Sequence, residues 1–82
     1  MSKIKKSYHD NGIIYSETYY NENNEYHRED GPAIIKYDSN GKLGSKEYWE
    51  HGKRHRKNGP AIELYNNEEE LLYFEFFING KD

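Results

Sequence analysis

Two histidine–arginine pairs, His27-Arg28 and His55-Arg56, are the residues of this chain best suited to chemistry. Each pair opens the same sequence, H-R-x-x-G-P-A-I, and the two copies begin 28 positions apart. Arginine offers a planar fork of N–H donors that matches a phosphate, so the pairs could hold a phosphorylated small molecule such as a nucleotide signal. The structural alternative is a tight Gly-Pro turn, with His and Arg stacked on a Tyr or Trp of the next hairpin.

The second pair lies in the only basic cluster of the chain, HGKRHRKNG at 51–59. The complete candidate anion site is His27, Arg28, Lys53, Arg54, His55, Arg56 and Lys57. The alternative is a solvated turn that balances the acidic stretch at 66–70. One basic loop on a chain of net charge −3 is a weak signal for nucleic acid, because duplex-binding proteins present a basic face. We therefore do not expect a nucleic-acid partner.

Catalytic and metal chemistry are both disfavoured by the residue types and their spacing. His51 and His55 would face one metal ion only on a helix, and Gly52 predicts a turn there. The absence of cysteine excludes zinc–thiolate sites and thiol nucleophiles. No serine lies in a G-x-S-x-G elbow, and a chain of 82 residues has little interior in which to shift a carboxyl pKa. We expect a non-enzymatic protein without a cofactor or a bound metal.

An internal repeat predicts the elements that position these residues. Segments 27–54 and 55–82 align without a gap and are identical at 11 positions, and 1–26 fits the same pattern as a truncated unit. Each unit is predicted to contain a strand (GPAIIKYD), a hairpin turn (DSNGK, in which Asn-Gly tolerates the positive φ of a type I′ turn), a return strand (LGSKEYWE) and a second turn (HGKR). The predicted structural turns are Gly31-Pro32 and Gly59-Pro60. No helical periodicity is present.

The composition predicts a thin core that depends on aromatic area. Apolar residues make up 33% of the chain, below the ~45–50% that is usual, whereas aromatic residues make up 16%. We predict a single all-β domain, an open antiparallel meander of five or six strands in one layer that oligomerisation could complete. The sequence contains neither a secretory signal nor an apolar run of ~20 residues, so we expect a cytoplasmic protein without membrane insertion.

The repeat also resembles a known family. Paired hairpins with Tyr-Trp or Tyr-Tyr, followed by x-x-G-K, resemble MORN-type repeat proteins. The H-R-x-D/N-G-P-A start is similar to the variant found in bacterial, phage and large-virus proteins. The resemblance implies a bacterial or phage accessory protein, such as an inhibitor of a host defence factor that acts in the host cytoplasm. It also leaves open a contact with phospholipid headgroups.

The last strand, LLYFEFFI at 71–78, departs from the repeat. One face of the middle unit carries Gly44, Lys46, Tyr48 and Glu50, and the last unit replaces them with Leu72, Phe74, Phe76 and Ile78. Terminal repeats usually become more polar, so this face needs a cover. Either the N-terminal segment covers it through Ile4 and Tyr8, or a second copy does. We expect a homo-oligomer, most simply a dimer, and protein–protein interaction as the leading function.

Overall fold

The computed structural model describes residues 3–81, so residues 1, 2 and 82 of the predicted first and last units lie outside the described residues. The described residues form only strands, turns and irregular segments. The strands are β1 (Lys3–Tyr8), β2 (Ile14–Tyr20), β3 (Ile34–Tyr37), β4 (Leu43–Glu47), β5 (Trp49–Glu50), β6 (Lys53–Arg54), β7 (Ile62–Tyr65) and β8 (Leu71–Glu75).

Six of these strands build one antiparallel sheet in the order β1-β2-β3-β4-β7-β8, and β5 pairs with β6 in a separate ribbon. The sheet is not closed, so β1 and β8 are its two edges. The molecule measures 34 × 29 × 16 Å, and the six strands of the main sheet lie side by side in one layer. The predicted open antiparallel meander of hairpins is confirmed.

Similar five-residue turns join β3 to β4 and β7 to β8, and another follows β2. In the turn at 38–42, the Asp38 Oδ1 accepts hydrogen bonds from the backbone N–H groups of Asn40 (2.9 Å) and Lys42 (3.0 Å). Asn66 and Asn21 accept the same two bonds in their own turns. A short polar side chain at the first turn position therefore fixes the hairpin, as Asx turns do generally.

The return strand of the middle unit is shorter than predicted. We expected one strand through LGSKEYWE, but β4 ends at Glu47 and the chain then bends into β5. The Tyr48 N–H donates to the Ala61 carbonyl (2.7 Å), and the Tyr48 carbonyl accepts the His55 N–H (3.0 Å). These bonds hold Tyr48 against the last unit while the next residues pair with β6. Strand β8 likewise ends at Glu75.

The core is as thin as the composition predicts. Ala33 and Ala61 are fully buried, and Ile34 and Ile62 are nearly so. No large side chain among the described residues is fully buried. Most of the aromatic side chains therefore lie on the surfaces of the sheet, where they contact each other, arginine side chains or solvent.

Candidate functional site: the open edge of the last strand

The two edges of the sheet differ in character. Strand β1 carries Lys3, Lys5 and Lys6, and lysines on an edge strand discourage pairing with another chain. Strand β8, with the sequence LLYFE, contains neither lysine nor proline. The edge formed by β8 and the following Phe76, called the open edge here, therefore lacks the residues that protect β1.

The apolar strip consists of Leu72, Phe74 and Phe76 along this edge, together with Ile78, which follows the end of β8 and pairs with Lys81. Leu72 is 67% exposed, Phe76 55%, Phe74 50% and Ile78 49%. The exposed surface of these four side chains is on the order of 400 Å², taking about 200 Å² for a large side chain. The largest apolar patch of a typical monomer measures ~300–600 Å² and is often functional.

The N-terminal segment does not cover the apolar strip. Strand β1, which carries Ile4 and Tyr8, is the opposite edge of the sheet, with four strands between it and β8. Ile4 and Tyr8 are themselves exposed. The alternative in which this segment shields the strip is therefore wrong, because the strand order places the N-terminal strand and the strip at opposite edges of the sheet.

The backbone of the open edge is unpaired on its outer side. The Glu75 carbonyl accepts the Ala61 N–H (2.8 Å), so Glu75 directs its peptide groups toward β7. Successive residues of an antiparallel strand direct these groups to alternate sides. Phe74 and Phe76 therefore direct theirs away from β7, where the described residues provide no further strand.

The arginines of the two H-R-x-x-G-P-A-I motifs stack on tyrosines. The Arg28 guanidinium lies 4.0 Å from the ring centre of Tyr19, and its Nη1 donates to the Pro32 carbonyl (3.3 Å). A Cβ atom at Gly31 would lie 3.0 Å from the guanidinium carbon, so the side chain fills the space between the ring and the glycine. Tyr19 belongs to the preceding hairpin rather than the following one, which reverses the predicted direction of stacking.

The second motif repeats this geometry. The Arg56 guanidinium lies 3.9 Å from the ring centre of Tyr48, its Nη1 donates to the Pro60 carbonyl (3.1 Å), and Gly59 again approaches it closely. Sequence reasoning missed Tyr19 and Tyr48 as stacking partners. The available signal was an aromatic residue that recurs at positions 19, 48 and 76 of the aligned units.

The paired histidines support a turn in each motif. The His27 Nδ1 accepts the backbone N–H of His51 (2.9 Å), and the His55 Nδ1 accepts that of Asn79 (3.0 Å). His51 and Asn79 both have a φ of 51°, in the left-handed region. Each histidine therefore holds the second turn of its own unit, with its proton on Nε2.

The seven basic side chains of the candidate anion site do not all converge on one place. Arg54 lies between the rings of Trp49 (5.2 Å) and Phe77 (5.4 Å), with its Nε 3.7 Å from the Glu47 carboxylate. Lys53 lines a separate cleft beside Trp49. One open groove of about 440 Å³ brings Arg28, His55, Arg56 and Lys57 together, and a second of about 820 Å³ contains His27 and again Arg28.

Carboxylates accompany the arginines in both grooves. Glu29 and Asp30 line each groove, and the Asp30 carboxylate lies 3.4 Å from the Arg28 Nε. The Glu63 carboxylate lies 3.6 Å from the Arg56 Nη1. A phosphorylated ligand would therefore meet negative charge beside each guanidinium.

The surroundings of three tyrosine hydroxyls raise their pKa. Burial, together with the hydrogen bond to Glu63, raises the pKa of Tyr65 to about 12. Burial also raises the pKa of Tyr37, which donates to Glu17, and the pKa of Tyr48. These hydroxyls stay protonated at neutral pH and act as hydrogen-bond donors or as part of the stacked surface.

Comparison of the chain with protein-family models, with curated proteins and with solved structures finds no match. Within residues 3–81, no three His, Asp or Glu side chains are grouped closely enough to hold a metal ion. The same part of the chain contains no helix that is long and apolar enough to cross a bilayer.

Proposed function

We propose that this protein is a non-enzymatic binding module that recognises protein chains, including a second copy of itself, through the open edge of β8. The observation that carries the proposal is the coincidence of an exposed apolar strip with an unpaired strand edge. Peptide groups of the edge supply hydrogen bonds to an added strand, and alternate side chains supply apolar area. Neither feature alone would distinguish this surface from an ordinary sheet edge.

Self-association follows most simply from a two-fold pairing of β8 with β8 of a second copy. Antiparallel pairing centred on Phe74 places Leu72 of one copy opposite Phe76 of the other, on the same face of the extended sheet. Each strip residue is about half exposed and gains on the order of 1 kcal/mol when covered. The lysine-bearing β1 strands then form both outer edges, so assembly stops at two copies.

The surroundings of the arginines support protein binding over a phosphorylated ligand. Both guanidinium groups already stack on tyrosines and donate to proline carbonyls within the chain. Glu29, Asp30 and Glu63 lie beside them and would repel an anion. The apolar strip, in contrast, leaves about half of its side-chain surface exposed.

Sedimentation of three proteins tests the proposal. We expect the parent to sediment as a dimer at tens of micromolar and the Phe74→Lys/Phe76→Glu variant to sediment as a monomer, because charges interrupt the apolar strip. Tyr8→Lys is the matched control, since Tyr8 is equally exposed on the opposite edge and its replacement should leave the dimer intact. A parent that sediments as a monomer near 9.8 kDa would contradict self-association.

A further inference from the structure

The fold itself shows which kind of segment occupies a strand edge of this type. At the first such edge, the Tyr19 N–H donates to the Ala33 carbonyl (2.7 Å), and the Tyr19 carbonyl accepts the His27 N–H (3.0 Å). The Arg28 guanidinium covers the Tyr19 ring. Segment 27–34, with the sequence HREDGPAI, therefore bonds the N–H and carbonyl of Tyr19 and also covers its ring.

The second edge is occupied in the same way. The Tyr48 N–H donates to the Ala61 carbonyl (2.7 Å), and the Tyr48 carbonyl accepts the His55 N–H (3.0 Å). Arg56 stacks on the Tyr48 ring at 3.9 Å. Bonds of the same length connect equivalent atoms in both cases, so the docking of H-R-x-x-G-P-A-I on an aromatic edge residue is a repeated interaction of this fold.

Phe76 is the third residue of the series, because it occupies in the last unit the position of Tyr48. Its N–H and carbonyl take no backbone partner within residues 3–81. Its ring is 55% exposed and lies edge-on to the ring of Phe74 at 5.6 Å. Phe76 thus presents the donor, the acceptor and the ring that Tyr19 and Tyr48 use.

We propose that the open edge at Phe74 and Phe76 is a third docking site of this kind, which binds an H-R-x-x-G-P-A-I segment of another protein chain. The alanine carbonyl of that segment accepts the Phe76 N–H, and its histidine N–H donates to the Phe76 carbonyl. Its arginine stacks on the Phe76 ring, and its glycine leaves room for the guanidinium. The inference rests on the proposed function, because both use the open edge of β8.

Phe74 adds a preference for one version of the segment. The residues two positions before Tyr19 and Tyr48 pair with the residue that follows each H-R-x-x-G-P-A-I motif. Glu17 pairs with Ile35, and Lys46 pairs with Glu63. At the third site this position is Phe74, which favours an apolar partner. A segment like 27–38, with isoleucine at this place, therefore fits better than one with glutamate.

The test uses a synthetic peptide of residues 27–38 (HREDGPAIIKYD) titrated into isotope-labelled protein. We expect saturable changes in the amide resonances of Phe74 and Phe76, and a fall in the sedimenting mass from dimer to monomer because peptide and second copy compete. Peptides with Arg28→Ala or Ile35→Glu should each bind about tenfold more weakly, through loss of the stack or of the apolar pair. A Phe76→Leu protein should weaken the parent peptide but not the Arg28→Ala peptide.

Three results would overturn the inference. A dimer that persists without any saturable response to the peptide contradicts the segment site but leaves the proposed function standing. A protein that is monomeric and also ignores the peptide contradicts both. Equal affinity of the parent and Arg28→Ala peptides shows that the edge binds strands in general and does not recognise this motif.

Discussion

At the scale of single residues, two guanidinium groups are each held between a tyrosine ring and a glycine. The arrangement explains why H-R-x-x-G-P recurs: the glycine leaves the space that the arginine fills, and the proline carbonyl receives its N–H. The sequence predicted a structural turn and a stacked arginine. It could not predict which hairpin supplies the ring, because that depends on the strand order of the folded sheet.

The first prediction concerns Gly31 and Arg28. Gly31→Ala should lower the free energy of unfolding by about 1 kcal/mol, because the new methyl group displaces the guanidinium from Tyr19 and from the Pro32 carbonyl. In an Arg28→Ala background the same change should cost almost nothing. Urea unfolding of the two single variants and the double variant measures this coupling, and strictly additive effects would contradict the account.

The second prediction concerns alkaline pH. The pKa of Tyr65 is about 12 in the folded protein and ~10 in the unfolded chain, so its contribution to stability is complete below pH ~10. It is lost as pH rises toward 12, and the raised pKa of Tyr37 and of Tyr48 acts in the same direction. In a spectroscopic pH titration, we expect part of the tyrosinate absorbance to develop only well above pH ~10. The Tyr65→Phe substitution should remove one of these high-pH ionisations. Titration of every tyrosine near pH 10 in the folded protein would contradict this.

At the scale of elements, hairpin turns were predictable because their signals are local. Asn-Gly at 40–41 marks its turn directly, but only Gly41 has a positive φ, 84°, so the turn is not of the predicted type I′, which needs a positive φ at both residues. The equivalent turn of the last unit has Glu69 at a φ of 62°, a conformation that its sequence does not favour. There the turn is stabilised by two hydrogen bonds to the Asn66 side chain and by the flanking strands of the repeat. The break after β4 was not predicted, and the bonds of Tyr48 to the next unit do not explain it, because β8 ends at the equivalent Glu75 without such bonds.

The third prediction tests the turn chemistry at this scale. Asp38→Ala should lower the free energy of unfolding by about 1–2 kcal/mol, because two backbone N–H groups lose their acceptor. Asp38→Asn should be nearly neutral, since Asn21 and Asn66 accept the same bonds elsewhere in the chain. Thermal or urea unfolding compares the two. Equal losses for both variants would show that charge, rather than the Asx turn, is responsible.

At the scale of the whole molecule, a one-layer sheet ends on two edges of opposite character. The loss of polar residues along 71–78 was visible in the sequence, and it identified the four exposed side chains of the apolar strip. What the sequence could not decide was whether the N-terminal strand covers them, because that depends on the order of all six strands. The proposed binding function follows from this unequal pair of edges.

Amide hydrogen exchange at Phe76, compared at high and low protein concentration, tests the central claim most directly. In an isolated copy the Phe76 N–H has no backbone partner within residues 3–81, whereas the equivalent Tyr48 N–H is bonded to Ala61 and serves as an internal control. We predict that Phe76 is protected at high concentration and loses its protection on dilution, while Tyr48 stays protected throughout. Rapid exchange of Phe76 at every concentration at which the protein sediments as a dimer would contradict pairing through the open edge.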